Sequence, residues 1–211
     1  MSVTYIPKHF EFHGLKEKHD FIENYNFGQL ICTREDNLNM SYVPFLLNRT
    51  DSPLGSLQCH VAKSNSIWRD ITKGRITAIF SGPHAYISPC WYSSEDQVPT
   101  WNYSAVFAEG QVRLLDDNQL APLLIKLTNN EENGTWNNIK WSTREVGTPK
   151  YGSMIKAIVG IELQIEKIYG KLKMSQNRSS EDRAGAVKGL LESSCESDAA
   201  VAKMIKETNE K

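Results

Sequence analysis

Alternation between apolar and polar residues is the strongest pattern along this chain, and it predicts a β-rich protein. Residues 56–63 place Leu57, Cys59 and Val61 on one face and polar side chains on the other, the period of two expected of a half-buried strand. Residues 159–168 repeat the pattern and form the clearest strand in the sequence. Further strands are predicted at residues 29–34, 41–49, 75–82, 85–92 and 100–115.

Turn residues separate these strands and suggest how they pair. The polar connection between residues 29–34 and 41–49 predicts a hairpin. Pro44 and Pro89 fall within strand patterns, which predicts an edge position or a bulge because proline cannot donate to a ladder. Six or seven strands in sequence, with few and peripheral helices, favour an antiparallel barrel over a parallel α/β sheet.

Helical periodicity is confined to short segments around these strands. Residues 129–138, rich in Asn, are predicted to form a loop. The predicted helices are residues 16–27, with Gly28 as the stop; a helix from Asp117, with leucines at helical spacing and Asp117 or Asn118 as the cap; residues 150–157; and a C-terminal part from Ser179, in two pieces divided near Ser193–Ser197.

Composition narrows the class of function. The 211 residues have a formal net charge of −1, so nothing in the overall balance predicts nucleic-acid binding. No apolar segment approaches the roughly 20 residues that span a bilayer, and the first residues lack a secretory signal pattern. The four cysteines lie far apart without a CxxC pair. These features predict a cytoplasmic protein without a metal site.

An aromatic segment at residues 80–103 is the most distinctive part of the sequence. It holds two Trp, three Tyr, one His and three Pro. Such density predicts a pocket wall for a flat ligand or a subunit contact. Trp101, Asn102 and Ser104 combine an aromatic face with directed polar atoms, as a heteroaromatic ring requires, although packing alone explains Trp101 about equally well.

Two polar segments are candidates for holding an anion. The first contains His60, Lys63, Ser64 and Asn65 at the end of a predicted strand, and its alternative is a solvent-facing turn. The second lies within residues 170–178, before the C-terminal helices. Its candidate residues are Lys173, Ser175, Gln176, Asn177 and Arg178. For this segment the residues alone favour a capped helix entry, with Ser179 or Ser180 as N-cap, over a phosphate clasp.

Taken together, the segments resemble a known family. The chain resembles the FMN-binding negative transcriptional regulators, the PaiB-like proteins named for repression of protease synthesis and sporulation. The combination of GPHAYISPCWY, VPTWNY and KLKMSQNR is specific. The matching segments occur in family order at residues 5–10, 60–65, 78–92, 98–103, 105–117, 158–178 and 182–190.

The resemblance implies a fold, a cofactor and a partner. It implies a split β-barrel related to pyridoxamine-phosphate oxidases, spanning residues 1–192 and followed by a helical tail at residues 193–211. It also implies a homodimer that binds FMN in a groove between subunits. The residues named in the two polar segments become phosphate and ribityl contacts, and Trp101, Asn102 and Ser104 become ring-facing residues.

Three functions follow from this expectation. The first is an FMN-binding repressor that acts on DNA directly or through a regulatory protein. The second is an oxidoreductase in which FMN accepts a hydride from a nicotinamide. The third is a haem-binding barrel with His84 or His60 as the axial ligand.

Overall fold

The computed structural model describes residues 4–135 and 148–209, and within them it contains seven β-strands in one sheet. The sheet order is β2-β1-β5-β6-β7-β4-β3. The strands are β1 (Phe27–Arg34), β2 (Asn37–Pro44), β3 (Leu46–Asn48), β4 (Ser56–Ala62), β5 (Arg75–Ile87), β6 (Thr100–Leu114) and β7 (Ile158–Lys173).

Six α-helices accompany the strands in the described residues. They are α1 (Leu15–Asn24), α2 (Ile67–Asp70), α3 (Asp117–Thr135), α4 (Thr148–Lys156), α5 (Ser180–Leu191) and α6 (Glu196–Asn209). Two 3-10 turns, Lys8–Phe10 and Pro89–Trp91, complete the elements. The predicted division of the C-terminal part into two helices is confirmed, because α5 ends at Leu191 and α6 begins at Glu196.

Strand pairing is antiparallel wherever the register is defined. β1 pairs with β2 as the predicted hairpin, with Phe27 opposite Pro44 and Arg34 opposite Asn37. β1 also pairs with β5, β3 with β4, and β4 with β7. Pro44 ends β2, which lies at one edge of the sheet, as its missing N–H requires.

The chain forms two compact units, and the long strands β5, β6 and β7 contribute to both. Unit 1 comprises Met1–Lys18, Ser81–Val106 and Tyr169–Lys211. Unit 2 comprises His19–Phe80 and Phe107–Ile168. The core of unit 2 follows the predicted alternation, since Leu57, Cys59 and Val61 of β4 are all buried.

Each unit has its own apolar packing. In unit 1, α5 and α6 pack on the end of β5 in a cluster that includes Ile87, Met174, Leu190 and Val201. In unit 2, a row of leucines that begins just before α3 and continues along it packs with residues from β3, α4 and β7. This second cluster consists of Leu115, Leu120, Leu123 and Leu127, with Leu46, Leu124, Ile155 and Ile158 against it.

Local signals misplaced several boundaries. Helix α1 ends at Asn24, and Gly28 lies inside β1, where an added Cβ would be 2.7 Å from the Ile79 carbonyl oxygen. This glycine is therefore needed for close strand approach and is not a helix stop. The predicted strands at 75–82 and 85–92 are one strand, β5, which passes through Pro83 and ends before the 3-10 turn containing Pro89.

Helix α3 also differs from its prediction at both ends. Its cap is Asp116, whose Oδ1 accepts from the Gln119 N–H at 2.9 Å, rather than Asp117 or Asn118. The helix continues through residues 129–135, which were predicted as loop; residues 136–138 of that prediction lie outside the described residues. Asn26 Nδ2 donates to Glu131 Oε1 at 2.7 Å and supports this last part of the helix.

Candidate functional site

Alternation along β6 separates the candidate side chains of the aromatic segment. Asn102 and Ser104 are buried within unit 1, whereas Trp101 is 53% exposed. The Trp101 ring centroid lies 6.0 Å from that of His84 and 6.1 Å from that of Tyr86, which meets it edge to face. Because Tyr86 is also about half exposed, unit 1 presents an open aromatic surface made by β5 and β6.

A buried hydrogen bond joins β6 to the turn after β7. Asn102 Nδ2 donates to Ser175 Oγ at 2.8 Å, and both residues are almost completely buried. Ser175 has a φ of 60°, a left-handed conformation that is uncommon for serine. Asn102 Oδ1 is buried and has no hydrogen-bond partner in the protein as far as the structure describes it. One buried acceptor is thus left for a ligand hydroxyl or N–H.

Three cations lie near this bond: Lys171 and Lys173 on β7, and Arg178 in the following turn. Lys173 Nζ donates to Thr100 Oγ1 and, at 2.8 Å, to the Trp101 carbonyl oxygen. Lys171 Nζ donates to the Tyr5 carbonyl oxygen at 3.1 Å and lies 5.1 Å from the Tyr103 ring centroid. Within the part of the chain that the structure describes, neither ammonium group has a carboxylate partner.

Arg178 is held by neutral groups as well. Its Nη1 donates to Gln97 Oε1, and its Cζ lies 4.8 Å from the Tyr92 ring centroid. Among the described residues, no carboxylate lies within ion-pair distance of Lys171, Lys173 or Arg178. Burial lowers the pKa of Lys173, and the positive charges of Lys171 and Arg178 lower it further. Lys171 and Lys173 therefore form an uncompensated positive site within unit 1, whereas Arg178 lies close enough to Asp182 to lower the pKa of that carboxyl.

The remaining candidate residues of this segment shape the turn. Gln176 Oε1 accepts from the Met174 N–H at 2.7 Å, and its Nε2 donates to the Leu172 carbonyl oxygen. Asn177 is exposed. Outside this segment, on β6, Ser104 Oγ makes a long contact of 3.4 Å to the Pro83 carbonyl oxygen. Ser179 caps α5, since its side chain accepts from the Asp182 N–H. The capped helix entry that the residues favoured is therefore present, and the cation cluster lies directly before it in the sequence.

The other candidate segment lies in unit 2, after β4. Asn65 fixes a turn, because its Nδ2 donates to Ser41 Oγ at 2.8 Å and its Oδ1 accepts from the Ile67 N–H at 3.0 Å. Lys63 Nζ donates to the Lys156 carbonyl oxygen at 3.2 Å, and Ser64 is exposed. The segment thus has a defined turn with one available cation.

His60 lies on the face of β4 opposite to the buried Leu57, Cys59 and Val61. Its cross-strand partner is Gly160, over which Leu115 and Leu120 pack so closely that a Cβ would be 2.9 Å from Leu115 Cβ. His60 Nδ1 is buried without a partner in the described residues. Burial lowers the pKa of this imidazole, which favours the neutral form.

Sequence reasoning missed several residues around the cluster. Lys171, Thr100, Tyr86, Tyr92 and Gln97 were not among the predicted cofactor residues. The spacing of Lys171 and Lys173, two apart on one strand, would have placed both on the same face. No local signal indicated Tyr92 or Gln97, because they meet Arg178 only in the folded unit.

Two kinds of feature are absent from the described residues, namely a metal-binding cluster and a membrane-spanning helix. No group of three or more His, Cys, Asp or Glu side chains in residues 4–135 and 148–209 is arranged to hold a metal ion. Within the same ranges, no helix combines the length and apolar character needed to cross a membrane.

Solved structures with the same fold bind flavin. The FAD and haem binding protein from Mycobacterium smegmatis superposes with a TM-score of 0.58 at 15% identity, covering 82% of this chain and 78% of that one. The flavocytochrome Anf3 from Azotobacter vinelandii superposes with a TM-score of 0.62 at 13% identity, covering 87% and 80%. The predicted fold is confirmed, since the chain has the split β-barrel fold of these proteins.

Sequence comparison gives the family. The model described as "Putative FMN-binding domain" matches residues 4–167. Protease synthase and sporulation protein PAI 2 of Bacillus subtilis is 32% identical over 187 residues, which is 88% of each chain. An uncharacterized protein of Saccharomyces cerevisiae, YKL070W, is 27% identical over 152 residues, 61% of this chain and 90% of the yeast protein. The chain therefore belongs to the PaiB-like family of FMN-binding split-barrel proteins, and its cofactor is FMN.

Proposed function

We propose that unit 1 holds FMN through the cation cluster and the open aromatic surface. In this proposal, Lys171, Lys173 and Arg178 bind the phosphate, and Trp101 with Tyr86 packs against the isoalloxazine ring. The observation that supports it best is the uncompensated positive charge. In the described residues, Lys171 and Lys173 contact neutral partners and repel each other, which is costly unless an anion joins them.

The donor set of unit 1 fits the chemical parts of FMN. A phosphate dianion suits ammonium and guanidinium groups, and a flat heteroaromatic ring suits half-exposed aromatic side chains. The buried Asn102 Oδ1 needs one donor, which a ribityl hydroxyl would supply. When bound, FMN supplies redox chemistry, while the protein residues bind and orient it.

The candidate residues of unit 2 are considered by themselves. His60, Lys63, Ser64 and Asn65 were expected to contact the phosphate or ribityl chain. In unit 2, Lys63 offers an exposed cation, and the Asn65 side chain is engaged in its turn. Within unit 2, we therefore expect Lys63 to be the residue that offers a positive charge to an anion and Asn65 to be the residue that holds the turn.

A direct titration tests the FMN site. FMN fluorescence should be quenched on binding to the protein, and K171Q/K173Q should weaken binding by at least tenfold because two charged contacts to the phosphate are lost. W101A should weaken FMN and riboflavin to a similar extent, since both contain the ring. A matched control is K188Q, which removes an exposed lysine from α5. Equal FMN affinity in wild type and K171Q/K173Q would contradict the proposed phosphate contacts.

We propose a regulatory role for the flavin-bound protein, namely repression of transcription acting directly or through a protein partner. The support is the 32% identity with Protease synthase and sporulation protein PAI 2 over 88% of the chain. Fluorescence anisotropy with promoter DNA at decreasing salt tests direct binding, because phosphate contacts strengthen as salt falls. Binding that is undetectable at low salt would leave repression through a protein partner. Bleaching of bound flavin by NADH or NADPH would instead favour the alternative function, an oxidoreductase.

We also propose that the chain forms a homodimer, using an apolar face of β1 and β2. Phe27, Leu38, Met40 and Tyr42 are each more than half exposed, and the registers place all four on one face. The Phe27 and Tyr42 rings stack with centroids 5.9 Å apart. Contiguous exposed apolar surface of this kind commonly marks an interface. Sedimentation should show a dimer for wild type and for the control I125E, and a monomer for L38E/M40E.

A further inference from the structure

Helix α5 makes three successive contacts with the segment at residues 88–97. The contacting residues are Asp182, Gly185 and Gly189, whose spacing of three and four places them on one face of the helix. The Asp182 side chain makes the first contact. Its Oδ1 accepts from the Ser93 N–H at 2.8 Å and the Ser94 N–H at 3.0 Å, and its Oδ2 accepts from Ser94 Oγ at 2.7 Å.

The two glycines bring the helix backbone against Trp91. A Cβ on Gly185 would lie 1.9 Å from the Trp91 carbonyl oxygen, and one on Gly189 would lie 2.3 Å from atoms of the indole ring. Both distances are far below any real carbon contact, so only glycine allows this approach. The helix therefore fixes residues 91, 93 and 94 at three points.

The segment fixed in this way supplies both contacts to the Arg178 guanidinium. Tyr92 lies between Trp91 and Ser93, and its ring stacks at 4.8 Å from Arg178 Cζ. Gln97, three residues beyond Ser94, accepts from Arg178 Nη1. A shift of the segment would therefore move the two groups that orient the guanidinium.

The charge state of Asp182 suits this arrangement. Hydrogen bonds from Ser94 lower the pKa of Asp182, burial opposes them, and the Ser93 N–H and Arg178 lower it further. The carboxylate is therefore ionised at neutral pH. In this form both of its oxygens are acceptors, which suits the two N–H donors and the one O–H donor that it meets.

We propose that Asp182 is a positioning residue for the FMN phosphate, because it orients Arg178 through residues 91–97. Gly185 and Gly189 allow Trp91 to pack against the helix in this arrangement. This inference rests on the proposed phosphate site in unit 1. It adds a residue that does not itself touch the cofactor and that acts through its hydrogen bonds to Ser93 and Ser94.

A double-mutant cycle tests the inference with FMN and with riboflavin, which has the ring but no phosphate. D182N keeps the shape of the side chain but removes its negative charge, so the charge-assisted hydrogen bonds to Ser93 and Ser94 become weaker and the segment should be held less firmly. We expect D182N to raise the FMN Kd about tenfold, R178Q to raise it at least as much, and D182N/R178Q to be no weaker than R178Q alone. Riboflavin affinity should not change in any of the three. The matched control is D198N, which removes a carboxylate from the same third position of α6 and should bind FMN as wild type does.

The results separate the two proposals. If wild type does not bind FMN, the proposed function fails. If wild type binds FMN but R178Q has no effect, if D182N leaves the FMN Kd unchanged, or if the two effects multiply, the positioning role is overturned. A parallel loss of riboflavin affinity in D182N would show general damage and also overturn it.

A second variant covers the case in which D182N does not fold. G189A displaces Trp91 while leaving Asp182 in place, and G152A is its control because a Cβ on Gly152 meets nothing within 4 Å. G189A should weaken FMN but not riboflavin, whereas G152A should change neither. Equal FMN affinity in G189A and G152A would contradict the proposal that packing of Trp91 against Gly189 positions Arg178.

Discussion

Asn102 and Ser175 share a buried hydrogen bond of 2.8 Å, although they are 73 residues apart in sequence. The bond joins two of the segments by which the family is recognised, the one beginning at Val98 and the one ending at Arg178. Its strength is thus measurable as a coupling between two motifs. Both side chains are almost completely buried. Loss of either partner therefore leaves the other polar group without a hydrogen-bond partner, since water cannot reach it.

We predict that N102A destabilises the protein by about 1–3 kcal/mol, the usual cost of an unsatisfied buried group, with an added cost for the cavity. S175A should have a similar effect, and N102A/S175A should be less destabilising than the sum of the two. Urea unfolding measures all four proteins. S175G is a useful control, because glycine removes the same hydroxyl but accepts the left-handed φ of 60° without strain. Additive effects would show that the bond contributes little.

Inorganic phosphate should stabilise the protein more than chloride does at equal ionic strength and pH. An anion that binds the folded state raises the melting temperature by mass action, and the cluster of Lys171, Lys173 and Arg178 is the expected site. K171Q/K173Q should lose this difference, while K188Q should keep it. Differential scanning fluorimetry provides the measurement. An equal phosphate effect in all three proteins would place the anion elsewhere.

The stability of the free protein should rise with pH through the lowered pKa of Lys173. The folded state binds this proton more weakly than the unfolded state, whose lysine keeps its ordinary pKa near 10.5. Stability therefore increases as pH rises from the lowered pKa toward 10.5, and phosphate affinity falls over the same range. Urea unfolding between pH 8 and 10 should show the increase in wild type and a smaller one in K173M.

His60 should make the protein sensitive to mild acid. Burial lowers the pKa of its imidazole below the ordinary 6.5, so the unfolded state binds the proton first. Stability is therefore full above pH 6.5 and decreases as pH falls from there through the lowered folded pKa. H60L should flatten this decrease in urea unfolding measured from pH 7.5 to 5. A decrease that is unchanged in H60L would have to come from other groups.

Arg113 should matter because it pairs with a buried acid. Glu162 is only 6% exposed, and its two oxygens accept from Arg113 Nε at 2.6 Å and Gln58 Nε2 at 2.5 Å. R113M leaves the buried carboxylate with one partner, and we expect a loss of about 1–3 kcal/mol. R113M/E162Q should recover part of this loss, since it removes the charge. Without that recovery, the effect of R113M would lie in lost packing of its side chain.

Local periodicity predicted much of the fold. The β1–β2 hairpin, the alternation in β4 and the two C-terminal helices follow from patterns shorter than twenty residues, which the sequence displays directly. Helix α3 shows the limit of such patterns. Its asparagine-rich end was predicted as loop, but packing of Leu123 and Leu127 and the distant Asn26–Glu131 bond extend the helix.

The site was predictable to a smaller extent. Lys173, Ser175 and Arg178 were identified as candidates because polar and cationic residues cluster there in the sequence. The hydrogen bond between Ser175 and Asn102 depends on how the strands pair. The contact between Tyr92 and Arg178 depends on how residues 91–97 pack against α5. Neither is encoded in neighbouring residues, so no local pattern could have revealed them.

The contact between Trp91 and the backbone of α5 has a practical consequence. The indole ring lies directly over Gly189, so its emission reports on whether the segment is docked. The chain has five tryptophans, and among those in residues 4–135 and 148–209 Trp91 is the one that lies against Gly189. Subtracting the emission spectrum of a W91F variant from that of wild type would therefore isolate the Trp91 signal. This signal would report docking of the segment in real time and without a label.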